Sequence, residues 1–357
     1  MSTPAQIWPR RVRVLRTRSG RTSLRVDLRT SLTTLALTLL ALVVAVWSLG
    51  VGSTPGSDLP LDRVVGAFTG TESEVVRRIV VEGRLPRVLV ALLGGAALAL
   101  GGAILQTLTR NPLGSPDIIG FTSGANTGAL GAMLVLGTGY AGATVGSLVG
   151  GLLTGAVIYL LAFKDGVHGT RLIVIGIGVS AMLVAFNGFL LVRARVENAA
   201  AAAAWGQGIF DQLRFVDVIA VGAALAVLLP ALAALTPSLR MFELGEAAAR
   251  SKGVDTTRDQ LLLLVVAVAL VAAVTAVAGP VAFVALIAPQ VAARLARSPG
   301  IPLTTTAAVG ASLLVVCDAV ARTLLAPVQL PVGVITTALG GVYLLGLLLH
   351  QSRKATT

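Results

Sequence analysis

Apolar residues run along this chain in long blocks, with glycine, proline and charge collected between them. Leu32–Leu49, Val88–Leu108, Phe121–Tyr140, Thr144–Phe163, Leu172–Val192 and Val216–Leu235 each approach the ~20 residues that a helix needs to cross a bilayer. Leu261–Ala278, Val281–Ala296, Leu303–Ala321 and Val332–Leu349 continue the series, with prolines interrupting their ends. The pattern predicts an all-α polytopic membrane protein of about ten transmembrane helices. An even number puts both termini on one side. The chain then divides into a basic tail at 1–31, a single transmembrane domain at 32–350 and a short tail at 351–357. Within the domain, residues 240–258 form one long loop on the side of the tails.

Charge orients these helices. The chain has 357 residues, 28 of them Lys or Arg and 16 Asp or Glu, for a formal net charge of +12. With both termini in the cytoplasm, the cytoplasmic segments hold 19 of the basic and 7 of the acidic residues. The whole excess falls on that side, as the positive-inside rule requires. Eight arginines stand in residues 10–29, directly before the first apolar block. Their position argues for a cytoplasmic tail rather than for binding nucleic acid. The basic region and the block after it are both too long for a cleaved signal peptide. Composition agrees: 55% of residues are hydrophobic, 12% are charged, and 40 are glycine.

The short, polar interruptions carry what chemistry there is. No glycine-rich loop ends in Gly-Lys-Ser/Thr, and the lysines are Lys164, Lys252 and Lys354, so the chain has no phosphate-cradling loop for ATP. Two histidines, His168 and His350, and one cysteine, Cys317, leave little for a metal centre, a catalytic triad or a disulfide. Asp318 is an acid inside an apolar block, with Arg322 four residues later. The pair reads as an i,i+4 ion pair near a helix end, ahead of a proton relay. Gln106, Asn126, Ser180, Asn187 and Gln290 read as interhelical hydrogen-bonding groups ahead of solute contacts. The glycine-rich stretches at 94–103 and 172–180 mark close helix crossings.

On the outer side, residues 50–87 read as a loop followed by an amphipathic piece, with Val64, Val65, Phe68, Val75, Val76, Ile79 and Val80 at helical spacing. Arg84, Arg87 and Arg322 stand at that surface, either as phosphate-facing anchors or as a dock for a carboxylate-bearing partner. On the inner side, Glu243 to Arg250 reads as a short helix ending at Gly253. The stretch RNPLGSPDIIGFTSGAN at 110–126 breaks the chain through Pro112 and Pro116, and the orientation puts that break at the cytoplasmic face.

Taken in order, these segments resemble the FecCD/vitamin B12-type family of ABC importer permeases, from about Leu32 onward. The resemblance rests on RLPR at 84–87, and on Gln106 followed by RNPLGSP with Asn111, Pro112 and Pro116. It continues in LGEAAARSKGVDTTR at 244–258, GPVAFVALIAPQVAARL at 279–295 with Pro289, and the segment from Asp318 to Leu349 with Pro331. It implies a type II ABC importer permease architecture in the cytoplasmic (inner) membrane, in a subunit with no catalytic residue. Partners implied are a second permease that is a related and non-identical chain, two cytoplasmic ABC ATPases that use the ATP, an extracytoplasmic siderophore-binding protein, and membrane lipid. No cofactor or metal is implied on the chain itself, and no nucleic acid.

Residue by residue, the resemblance implies that Arg84, Arg87 and Arg322 meet acidic residues on the binding protein. Gly245, Glu246, Ala249 and Gly253 fall in the segment that couples to the ATPase. Gly176, Gly178, Ser180 and Asn187 line the translocation pathway beside the second permease. SPDIIGFTSGA at 115–125, the run at 171–187 and the C-terminal signature look closest to enterobactin-type ferric-siderophore permeases. Gln290, Gln329 and Gly340-Gly341-Val342 replace the His, Glu and Gly-Ala-Pro of many members, which fits a catecholate siderophore better than cobalamin or haem, the alternative cargoes. An ion-coupled secondary transporter is the reading from another class and requires an ionisable site in the membrane.

Overall fold

The computed structural model describes residues 12–16, 23–54, 56–162 and 169–355. Each of the ten apolar blocks falls on helix. The first becomes α1 (Leu28–Gly50), which starts where the Asp27 carboxylate accepts from the backbone N–H groups of Arg29 and Thr30 at 2.9 and 3.4 Å. Two strands precede it, β1 (Val12–Arg16) and β2 (Ser23–Asp27), paired antiparallel. This hairpin lies inside the basic tail and carries no apolar block that would have announced it.

The outer loop holds α2 (Leu61–Thr69) and α3 (Glu74–Arg77), then a π-helical turn (Arg78–Arg84) that runs directly into α4 (Leu85–Thr109). The amphipathic piece is real but narrower than its spacing suggests. Val64, Val76 and Val80 are buried, while Val65, Phe68, Val75 and Ile79 face outward.

The inner loop and third block give α5 (Pro116–Ile119) and α6 (Phe121–Leu130), the latter extended by a π-helical turn (Gly131–Val135). Next come α7 (Gly139–Ala162), α8 (Gly169–Arg193), α9 (Val196–Trp205) and α10 (Phe215–Glu243). The chain ends with α11 (Glu246–Ser251), α12 (Thr256–Ala278), α13 (Val284–Ala296), α14 (Leu303–Thr323) and α15 (Val332–Ala355).

Helices α4, α12 and α14 form the centre and are mostly buried, whereas α1, α7, α8 and α10 keep broad apolar faces exposed. Lipid or another apolar partner must cover those faces. The centre is tight because α4 carries glycine where other backbones cross it. A Cβ at Gly95 would overlap the Gly310 carbonyl, and one at Gly102 would overlap that of Ala285. Pro289 lies inside α13 and has no N–H to give to the Ala285 carbonyl, so that oxygen is free to face α4. Cys317 is fully buried in α14.

Among the described residues, seven helices are long and apolar enough to span a bilayer by length and composition. The other three blocks are shorter, and for two of them a re-entrant segment explains why. At the inner face Gly169 begins α8 against Thr109, the last residue of α4, so those two ends are level. Further along α8, Gly176 packs on Ile119 and Ser180 on Gly120. Seven residues of helix rise about 10 Å. The segment after Arg110 therefore climbs about that far back into the membrane before α6 begins. The charge bias predicts the whole break at the cytoplasmic face, and only its start lies there. Proline and glycine announce a break without announcing the direction the freed chain takes.

The outer face mirrors this. Pro280 meets Gly333 near the start of α15, and Phe283 meets Gly340, seven residues deeper. The extended stretch from Gly279 (φ +71°) to Phe283 (φ +68°) thus descends about 10 Å before the 13-residue α13 begins.

Candidate functional site

Two of the outer arginines, Arg87 and Arg322, come together in one buried cluster, and the half-buried Arg84 lies beside it. Arg87 donates from Nε to Asp318 Oδ1 at 2.7 Å, and from Nη1 to Asp211 Oδ1 at 2.6 Å and Gln329 Oε1 at 2.9 Å. Arg322 pairs with Asp318 Oδ2 at 3.4 Å, and donates to Ser48 Oγ and to the Ser48 and Val51 carbonyls at 3.1 and 3.2 Å. Arg84 donates to the Leu49 and Ser57 carbonyls, both at 2.8 Å. The i,i+4 pair read in the sequence is present, but Arg87, 231 residues away from Asp318, is the closer partner.

This cluster ties the outer ends of α1, α4 and α14 to the 206–214 loop. The Arg87 and Arg322 side chains are only 7% and 4% exposed, so neither guanidinium is presented to an outside partner in this conformation. Asp211, 44% exposed, is the part of the cluster open to solvent. Arg87 Nη2 and Arg322 Nε are buried without a hydrogen-bond partner. Sequence separation hid the pairing of Arg87 with Asp211 and Gln329, 124 and 242 residues away.

At the inner face, Gly245 (φ +108°) turns the chain out of α10 and caps α11. Arg250 donates to Glu246 Oε1 at 2.8 Å and to Thr256 Oγ1 at 3.2 Å, Ala249 is buried, and Gly253 (φ +81°) closes the turn. Glu243 belongs to α10 and not to the short helix as the sequence suggested; its Oε1 accepts from the Ile301 N–H at 2.9 Å. The guanidinium of Arg110, itself the left-handed C-cap of α4, lies against Gly245.

On α8, Gly176, Ser180 and Asn187 share the face turned toward α5 and α6. Ser180 Oγ meets Ser123 Oγ at 2.8 Å, and Asn187 Nδ2 donates to the Ser123 carbonyl at 3.4 Å. These are interhelical contacts within the chain. Gly178, with nothing near its Cβ position, lies on the opposite, exposed face beside Val174, Ile177 and Met182. Of the four residues expected to line a pathway, Gly178 alone faces out of the fold.

The inner motif residues hold the centre. Gln106 Nε2 donates to the Leu286 carbonyl at 2.9 Å, and its Oε1 accepts from Gln290 Nε2 at 2.8 Å, locking α4 to α13. Asn111 Oδ1 accepts from the Leu113 N–H at 2.9 Å, so Asn111 and Pro112 shape the turn that α5 leaves with Pro116 at its first position. Pro331 stands just before α15.

Asp117 was not singled out by the sequence. It sits on the re-entrant segment, with Oδ1 accepting from Thr122 Oγ1 at 2.8 Å and Oδ2 from the Phe283 N–H at 3.1 Å. Among the described residues no salt bridge reaches it. Its signal was an acid directly after the proline that starts a one-turn helix. Among the described residues no group of three or more His, Cys, Asp or Glu could hold a metal ion.

The model of the FecCD transport family matches residues 39–350. The ferric enterobactin transport system permease protein FepG of Escherichia coli K12 is 43% identical over 329 residues, 92% of this chain and 99% of that one. The achromobactin transport system permease protein CbrC of Dickeya dadantii is 38% identical, covering 95% and 97%. A solved metal-chelate type ABC transporter in an inward-facing conformation superposes with a TM-score of 0.77 at 30% identity, over 90% of this chain and 99% of that one.

Proposed function

Because the chain belongs to the FecCD transport family, we propose that it is the permease subunit of an ATP-driven importer that carries ferric siderophores of the catecholate, enterobactin-like class across the cytoplasmic (inner) membrane. The observation that supports this most is the 43% identity to a ferric enterobactin permease over nearly the full length of both chains. ATP is spent by partner subunits, which meet the permease at α11 through Glu246 and the turn between Gly245 and Gly253. A second, related permease covers the exposed face of α8. The cargo arrives on an extracytoplasmic binding protein that docks at the outer cluster of Arg84, Arg87 and Arg322, where the buried Arg87 and Arg322 guanidinium groups must turn outward to meet it.

The chemistry suits such a cargo. A ferric siderophore keeps its metal inside its own ligands, so the passage has no need to coordinate iron. Between Arg171 and Arg193 at its two ends, the outward face of α8 carries Val174, Ile177, Gly178, Met182 and Phe186 and no charge. A surface of this kind holds a bulky chelate weakly, and weak binding favours release into the cell.

Uptake of radiolabelled ferric chelates by a strain lacking this permease tests the reading. Catecholate uptake is expected to fall and to return when the chain is restored. Catecholate uptake that survives the deletion, with cobalamin or haem uptake lost instead, would overturn it. Reversal of Arg84 to Glu is expected to weaken docking of the binding protein while membrane insertion is kept; unchanged docking would refute that part.

A further inference from the structure

We propose that Asp117 is a positioning residue for transport, joining two re-entrant segments inside the membrane and passing movement of the ATPase-facing loop to α13. It rests on the importer reading only for the source of that movement.

The inner segment, 111–120, rises about 10 Å from one face, and the outer segment, 279–283, descends about as far from the other. Their meeting point is the hydrogen bond from the Phe283 N–H to Asp117 Oδ2 at 3.1 Å. Irregular backbone at this depth survives only where protein satisfies its polar groups. Asp117 does this at a costly place, since Phe283 is a non-glycine residue held at φ +68°. A carboxylate fits the position because each oxygen takes one donor, Thr122 Oγ1 on Oδ1 and the Phe283 N–H on Oδ2. The N-terminal end of α13 favours negative charge as well. An asparagine would offer one acceptor and turn its NH2 toward the second donor.

Both ends of the connection reach further. Seven residues before Asp117, Arg110 lies against Gly245, the cap of α11. Beyond Phe283, its ring presses on Gly340 of α15, and α13 is fixed to α4 through Gln290 and Gln106. A displacement of α11 therefore reaches the Arg110 side chain by contact, follows the chain through 110–120 to Asp117, and passes by one hydrogen bond to the start of α13. An acid kept within the membrane without a basic partner points to function rather than to stability.

The test has two readouts on the Asp117→Asn variant, with Thr122→Val as the control that removes only the second hydrogen bond. In proteoliposomes holding the complete complex, uptake of ferric enterobactin per ATP hydrolysed is expected to fall about tenfold or more in Asp117→Asn while ATPase activity stays within about twofold. Thr122→Val should keep most of the ratio, and Asp117→Glu should restore part of it. In the full chain in lipid nanodiscs, amide exchange in the 279–287 segment should quicken about tenfold in Asp117→Asn. Unchanged exchange, or uptake and ATPase falling in parallel with the melting temperature, would overturn the proposal. Should the wild-type complex move no ferric siderophore, the importer reading fails on its own, and the exchange measurement still decides whether the joint exists.

Discussion

Asp318 and Asp117 both lie at membrane depth, one among arginines and the other among neutral donors. Asp318 is fully buried and held by two guanidinium groups, Arg87 at 2.7 Å and Arg322 at 3.4 Å. Asp117 takes a hydroxyl and a backbone N–H and no ion pair among the described residues. The difference separates a clamp from a joint. Opening the outer cluster would leave opposite charges apart in a poorly solvated place, which is expensive. Breaking the Phe283–Asp117 hydrogen bond leaves one carboxylate and one amide to find other partners, a smaller cost that suits a part meant to move. The outer ends of α1, α4 and α14 are fixed to each other, and the start of α13 is only pinned.

The contrast can be broken or sharpened by substitution. The largest effect is expected for Asp318→Ala, which strands Arg87 and Arg322 and should cost about 3–5 kcal/mol, read as a lowered melting temperature in detergent. A melting curve like that of the wild type would remove the clamp from the comparison. Gln106→Leu removes both hydrogen bonds that tie α4 to α13, to the Leu286 carbonyl and from the half-buried Gln290 amide, for a loss of about 1–3 kcal/mol by the same measurement. Asp211→Asn weakens only the half-exposed side of Arg87, and a shift of about 1 kcal/mol or less is expected. A loss as large as that of Asp318→Ala would mean the cluster acts as one unit. The smallest change is expected for Arg250→Ala, whose exposed i,i+4 pair with Glu246 contributes about 0.5 kcal/mol at most, measurable in a double-mutant cycle with Glu246→Ala.

Much of this was legible in the sequence. All ten apolar blocks carry a helix among the described residues, because in a bilayer a long apolar run has almost no other way to satisfy its backbone. The crossing glycines were legible too: the stretch at 94–103 contains Gly95 and Gly102, which meet backbone of α14 and α13. Depth was not legible. Pro112 and Pro116 announce that the helix stops, yet whether the chain then runs along the surface or back into the membrane depends on Gly176 and Ser180, sixty residues away. Phe283 is similar, since its positive φ is visible in no local pattern and belongs to a non-glycine residue. The arginines were found as residue types at the outer surface, but the burial of Arg87 follows from Asp211 and Gln329, and that of Arg322 from the Ser48 region, each more than a hundred residues away from the arginine it holds.

Cys317 lies inside α14, fully shielded from solvent beside Asp318. As the one thiol in the chain, it makes the native protein a ready background for labelling, with no cysteine to remove first. A cysteine placed in turn at Asn111, Gly114 and Thr122 would then report its own access to a membrane-impermeant maleimide. Reactivity that fades from the first position to the last would trace how far the broken segment climbs from the cytoplasm, one residue at a time.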